Sequence, residues 1–281
     1  METIRFKAVV LAVCSLTFSV RAGDQAAQKA VIFDIGGVLA ASDKLQAFKA
    51  TGPHHFFYYF SANPCMISGS TEKIRNQLLY PFLRSCMPYT ATDCFAYDEF
   101  GQRLPQLMVE WMTGRLSCRS LRAICKENCA LYSSWFVSPA ERDLMYGMTM
   151  MMFTPHHLAN TQQLLYKSLD FVRACKASGY KLYILSNWDS ESFPELVKKD
   201  PDLFALFDGI VISGDCGYVK PDPAIYRHLL NTYNLDPHDT FFIDDVIQNV
   251  QAARDAGMTA AQCMLCDIDS IKSAFHAWQN A

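Results

Sequence analysis

The chain has no run of lysine or arginine, and its 25 basic residues are outnumbered by 28 acidic ones, for a net charge of −3. Nucleic-acid binding normally needs a concentrated basic face, so nucleic acid is not expected as a partner. There is no low-complexity tract, no heptad series and no repeat of fixed period, which argues against disordered, coiled-coil and solenoid architectures. No apolar run is long enough to span a bilayer comfortably; Ala8–Val20, which mixes apolar and small residues, is too short. Cys263-Met264-Leu265-Cys266 is a lone CxxC without a second pair, so a zinc site is not expected.

The N-terminus has the three-part layout of a secretory signal peptide. Arg5 and Lys7 precede the run Ala8–Val20, and Val20-Arg21-Ala22 sets small residues three and one before a cut. The expectation is a signal over residues 1–22, an exported (periplasmic or secreted) mature chain from Gly23, and no stable membrane anchor after cleavage. The alternative is an ordinary hydrophobic N-terminal helix or an uncleaved anchor. Cleavage leaves ten of the 11 cysteines, six of them between Cys65 and Cys129. In an oxidising compartment partial disulfide bonding in that stretch is expected; otherwise the thiols fill apolar space as small hydrophobes.

With 51% hydrophobic residues the chain is long enough for one α/β core plus an inserted unit. Strands are predicted over Lys29–Asp34, Lys181–Ser186, Phe207–Ser213, Thr240–Ile243 and Met258–Cys263. Helices are predicted over Thr161–Ser178, Ser190–Lys199, Pro223–Tyr233 and Val246–Ala256, and Asp269 or Ser270 is expected to cap a terminal one. Such alternation implies a Rossmann-like parallel sheet with helices on both faces. Residues 23–41 and 161–281 form this core. The stretch 42–160 is rich in Phe, Tyr, Met and Cys, with helical periodicity at Glu72–Leu83, Phe100–Met112 and Leu116–Asn128.

Four apolar runs end on polar residues: VIFDIGGVL (31–39), YILSNWD (183–189), GYVKPDPAIY (217–226) and FFIDDVIQNVQAARDAGM (241–258). In an open α/β sheet the carboxyl ends of strands converge on one crevice, where ligands bind. Asp34 is the candidate nucleophile. Ser186 and Asn187 are candidate donors to phosphoryl oxygens, and Lys220 is a point charge that offsets repulsion between Asp34 and an anionic substrate. Asp244 and Asp245, adjacent acids that would repel each other, suit a hard divalent cation beside a phosphate. Each has an ordinary structural alternative: a turn acid, a helix cap or a surface lysine.

The order of these motifs resembles the haloacid dehalogenase-like hydrolase superfamily. The phrase LSNWD followed by Phe193 is similar to a subgroup with sugar-phosphate phosphatases and the N-terminal phosphatase domain of soluble epoxide hydrolase. The resemblance implies an α-helical cap over 42–160, Mg²⁺ as cofactor, an aspartyl-phosphate intermediate on Asp34 and a small phosphorylated metabolite, such as a sugar phosphate, as substrate. It also implies metal contacts from Asp34, the Gly36 carbonyl, Asp244 and Asp245. Asp245 would be the direct ligand, while Asp244 contacts metal-bound water or positions Lys220. The acidic pair sets the chain apart from the metal-free dehalogenase branch. One position departs from the pattern: the family's second acid, which protonates the leaving oxygen, is Gly36 here. The alternative is therefore a phosphate- and metal-binding protein with weakened catalysis. Met145–His157 holds five methionines and the pair His156 and His157, which suggests either a packed apolar interface or a soft copper site. The histidine pair is also a candidate to face the substrate.

Overall fold

A computed structural model describes residues 29–63, 71–89, 94–131 and 135–281. The expected signal over 1–22 and Cys65 lie outside the described residues. In chain order the strands are β1 Ala30–Phe33, β2 Ala40–Ser42, β3 Gln162–Leu164, β4 Lys181–Ser186, β5 Gly209–Ile212, β6 Thr240–Asp244 and β7 Thr259–Gln262. Five form a parallel sheet in the order β5-β4-β1-β6-β7, while β2 and β3 make a separate antiparallel pair.

Alternation along β1 explains the layering. Val31 and Phe33 face one side, where Phe33 packs edge-on to Phe171 and Phe207 beside Val172, Phe275 and Trp278. Ala30 and Ile32 face the other, against Ile225, Tyr226 and Leu229 of the helix Pro223–Tyr233 and Val250 of the helix Ile247–Asp255. A strand buried on both faces must be apolar at successive positions, as VIF is. Full burial of each such side chain is worth roughly 1.5–3 kcal/mol.

A third core belongs to the helices between β2 and β3. Leu83, Leu107, Leu121, Leu144, Met145 and Phe153 meet there, and Val219 of the loop before Lys220 joins them. The helix expected over Glu72–Leu83 runs as Thr71–Ile74, a π segment Arg75–Leu79, and Tyr80–Cys86. The one expected from Phe100 begins only at Gln106. Asp98 Oδ1 accepts from the Phe100 and Gln102 amides, at 3.0 and 2.8 Å, and this turn takes the chain out of helix geometry. The segment expected as one helix from Thr161 splits into β3 and the helix Tyr166–Ala177, because β2 offers a strand edge to pair with. At the C-terminus the helix starts at Lys272, and neither Asp269 nor Ser270 caps it. Burial of both Ile268 and Ile271 tightens that entry into a 3-10 turn, capped by Asp267.

All nine cysteines of the described residues are free thiols, so the disulfide expected in the insert is not present among them. Cys118, Cys125 and Cys129 line the inner side of the helix Cys118–Leu131 and are buried there as small apolar groups. Burial pushes the Cys118 and Cys129 thiols up to about 12, so neither is a reactive thiolate at neutral pH. Among the described residues no helix is long and apolar enough to cross a membrane.

Candidate active site

From β1 the chain reaches β4 on one side and β6 on the other, so the crevice opens at the carboxyl end of the central strand. Asp34 stands there, its amide donating to the Ile243 carbonyl at 2.9 Å. Asp244 ends the neighbouring β6 and is completely buried. Lys220 is also completely buried, and its ammonium has three partners. It donates to Asp244 Oδ2 at 2.6 Å and to the Leu185 carbonyl at 2.8 Å, and it lies 2.9 Å from Asp34 Oδ1. The Asp34 contact is an ion pair without an aligned hydrogen bond.

The lysine is held from behind. Asn187 Oδ1 accepts from the Lys220 amide at 2.8 Å, and Asn187 Nδ2 donates to the Lys220 carbonyl at 3.0 Å. Asp244 Oδ1 accepts from the Val246 amide at 2.8 Å and from Asn249 Nδ2 at 3.0 Å. Both Asp244 oxygens are therefore committed, one to the lysine and one to the start of the following helix. The Asp245 carboxylate differs: it accepts no hydrogen bond from any described residue, and it faces the same chamber as Asp34.

Oxygens of Asp34, Asp244 and Asp245 lie within 4.8 Å of one another. Burial, then the charges of Asp34 and Asp244, raise the Asp245 carboxyl to about 8. Burial raises Asp244 to about 6, with Lys220 pulling the other way. For Lys220, burial acts to lower the pKa, but Asp244 and Asp34 outweigh it and keep the ammonium charged. Three carboxylates against one ammonium leave excess negative charge in a poorly solvated place. An all-oxygen donor set with one unpartnered carboxylate fits a hard divalent cation.

The turn after β1 approaches this acid closely. Gly37 has φ +67°, and a Cβ there would overlap the Asp245 carboxylate. A Cβ at Gly36 would meet nothing within 4 Å. The chamber, about 390 Å³, is walled by Asp34, Gly36, Asn187, Lys220 and Asp245 from the core and by Tyr80, Tyr97, Asp98, Glu99 and Met108 from the insert.

The description "haloacid dehalogenase-like hydrolase" belongs to the family model that matches residues 28–257. This chain belongs to that family. Among similar proteins, bifunctional epoxide hydrolase 2 of Rattus norvegicus is 34% identical over 93 residues, covering 32% of this chain and 17% of its own length. Sesquiterpene phosphatase astK of Aspergillus oryzae is 34% identical over 87 residues, covering 31% of this chain and 44% of its own. The chain thus spans less than half the length of these curated relatives. The fold is similar to that of a HAD family enzyme of Bacteroides thetaiotaomicron, solved with magnesium and inorganic phosphate. The TM-score there is 0.51 at 16% identity, over 84% of this chain and 93% of that one.

In this haloacid dehalogenase-like hydrolase the expected residues do not all reach the chamber. Asp34, Gly36, Asn187, Lys220 and Asp245 line it, and Asp244 stands directly behind. Ser186 is buried at the end of β4 and does not line it. The Asn187 amide is engaged with the Lys220 backbone, so its described hydrogen bonds position the lysine. His156 and His157 pack against each other, 4.3 Å between ring centroids, and do not line the chamber. The methionine run lies on the helix Pro139–Met152, with Met145 buried in the insert's core. Among the described residues the acidic trio is the one group of three or more His, Cys, Asp or Glu side chains placed to hold a metal. Tyr80, Tyr97, Asp98, Glu99, Gln162 and Cys266 are wall residues that sequence motifs did not flag. Gly101, with φ +74°, was the available sign of the turn that carries Asp98 and Glu99.

Proposed function

We propose that this hydrolase is a Mg²⁺-dependent phosphatase of a small phosphorylated metabolite. The observation that carries the reading is the single chamber shared by Asp34, Lys220 and the unpartnered Asp245. The astK relative, named as a phosphatase, and the structural neighbour solved with magnesium and phosphate support it.

Asp34 is the nucleophile: one carboxylate oxygen bonds to phosphorus as the bond from phosphorus to the leaving oxygen breaks. Water then attacks the aspartyl phosphate, releasing inorganic phosphate and restoring the carboxylate. Lys220, fixed by Asp244 and Leu185, places positive charge where the phosphoryl oxygens gather negative charge, without having to reorient. Asp34, Asp245 and the Gly36 carbonyl would hold Mg²⁺, with Asp244 behind them, and the cation would neutralise substrate charge. With glycine at position 36, no carboxylate is supplied from that turn to protonate the leaving group. Such assistance is worth about 10²–10⁴-fold, so its loss slows turnover and leaves nucleophile and electrostatics in place.

A broad phosphometabolite panel with Mg²⁺ or EDTA tests the reading, alongside Asp34→Asn. Mg²⁺-dependent release of phosphate that Asp34→Asn abolishes is the expected result. Phosphate and Mg²⁺ bound without turnover of any member would favour the second reading, a binding protein, which the absent acid at Gly36 motivates. Export with removal of residues 1–22 belongs to the same proposal and rests on the layout of that segment; an intact Met1–Ala22 in the mass of secreted protein would defeat the cleaved signal peptide.

A further inference from the structure

A second chamber, about 640 Å³, lies inside the insert next to the catalytic one. Ser42 and Glu99 line both, so the two spaces are neighbours with these two wall residues in common. Phe48, Phe56, Phe60, Phe100, Met148 and Met151 supply the apolar part of its wall, and Lys44, Thr51, Glu72 and Arg75 add polar groups. Phe48 packs on Phe56 with ring centroids 4.9 Å apart, Phe56 on Phe60 at 6.3 Å, and Met148 and Met151 close the side formed by the helix Pro139–Met152. The ion pair between Arg75 and Glu99, 2.7 Å, borders the second chamber, and Glu99 also borders the catalytic one. The catalytic chamber thus carries Asp34, Lys220 and Asp245, and its neighbour carries a cluster of phenylalanine and methionine side chains beside charged groups of its own.

A sugar phosphate would fill the catalytic chamber and leave the larger neighbour to water, which gains nothing from Phe and Met side chains. A molecule with a phosphate at one end and hydrocarbon at the other uses both. We propose that the substrate is a phosphomonoester of an apolar alcohol, its phosphate at Asp34 and Lys220 and its hydrocarbon tail in the chamber of Phe48, Phe56, Phe60, Met148 and Met151. The proposal rests on the phosphatase reading for its chemistry but on the second chamber alone for its tail. Flexible thioethers suit a tail of variable shape, since they repack around an irregular apolar group at little cost. The tail would pass Ser42 and Glu99, the residues common to both walls.

The test is a series of n-alkyl phosphates with two, four, six and eight carbons, assayed with Mg²⁺ on the full chain. The specificity constant should rise about fourfold for each methylene that enters the chamber, mainly through a lower KM, and then level off. Met151→Arg should flatten this rise, cutting the octyl-to-ethyl ratio at least tenfold. Turnover that is independent of chain length in the unaltered protein would overturn the tail site and leave the phosphatase reading intact. If no ester is hydrolysed, calorimetric affinities of the same esters decide. Affinity that rises with chain length supports the chamber and leaves the phosphatase reading to the broader panel, and a flat series overturns the tail site.

Discussion

Two cations with acidic neighbours show how differently the core and the insert are built. Lys220 is completely buried, and its three contacts, to Asp244, Leu185 and Asp34, fall between 2.6 and 2.9 Å. Arg75 keeps 20% of its side chain exposed, pairs with the half-exposed Glu99 at 2.7 Å and with Asp98 only at 3.8 Å, and lies over the rings of Tyr80 and Phe100. A buried ion pair cannot lose one member without leaving an uncompensated charge, whereas an exposed pair can be replaced by water. The core therefore fixes its charges in a buried network, and the insert carries a pair that water can reach.

Removing each cation breaks this comparison most directly. Lys220→Met should destabilise the fold by about 3–5 kcal/mol in denaturant titrations, because Asp34 and Asp244 lose their counter-charge. In whatever folds, turnover should fall at least about 10²-fold, the loss typical of one preorganised electrostatic group. The next effect concerns Asp245. Its carboxyl is raised to about 8 in the fold and Asp244's to about 6, so the folded protein holds more protons than the unfolded chain across that range. Stability of metal-free protein should therefore fall as pH rises, and between pH 6 and 8 Asp245 carries the trend at up to about 1.4 kcal/mol per pH unit. Mg²⁺ favours the ionised acid, so the melting-temperature increase it gives should grow across the same interval. Asp245→Asn should remove both trends and weaken Mg²⁺ beyond the roughly 10–100-fold typical of an outer-shell loss.

Gly36→Asp sharpens the comparison from the other side, because the added carboxylate has open space to occupy. Alkyl phosphates, which need a proton on departure, should gain roughly tenfold or more, while aryl phosphates change little. A Brønsted series on both proteins measures this; a shallow slope in the unaltered enzyme would mean that another group already donates the proton. The smallest effect is expected for Arg75→Ala, at most about 1 kcal/mol of stability and reduced by salt, checked by urea titration at two ionic strengths.

What the sequence made legible follows the same division. The strand ends of the core carry their chemistry in contiguous phrases, so Asp34, Lys220, Asp244 and Asp245 are legible in the sequence. A parallel strand imposes a continuous apolar run with an abrupt polar end, a signal carried by neighbouring letters. Ser186 shows the limit of such reading, since the hydroxyl stands in the right phrase yet is buried off the chamber wall. Glu99 and Tyr80 are brought to the wall by packing among helices and by the turn at Asp98, and no local pattern encodes that juxtaposition. The short pair β2 and β3 was missed for the same reason: three residues each are too few for a period to show.

Val219 and Lys220 are adjacent in the chain but belong to different cores: Val219 lies in the apolar interior of the insert, Lys220 in the charged centre of the sheet domain. The peptide unit between them acts as a drive shaft. A displacement of Val219 would reach, within one residue, the ammonium facing Asp34. On the same side Ser213 donates to the Met112 carbonyl at 2.6 Å, and the Cys118 amide donates to Glu191 at 2.6 Å, so this edge of the insert is pinned. Apolar substitutions around Val219 are expected to register as changes in charge placement at Lys220 as well as in lost packing.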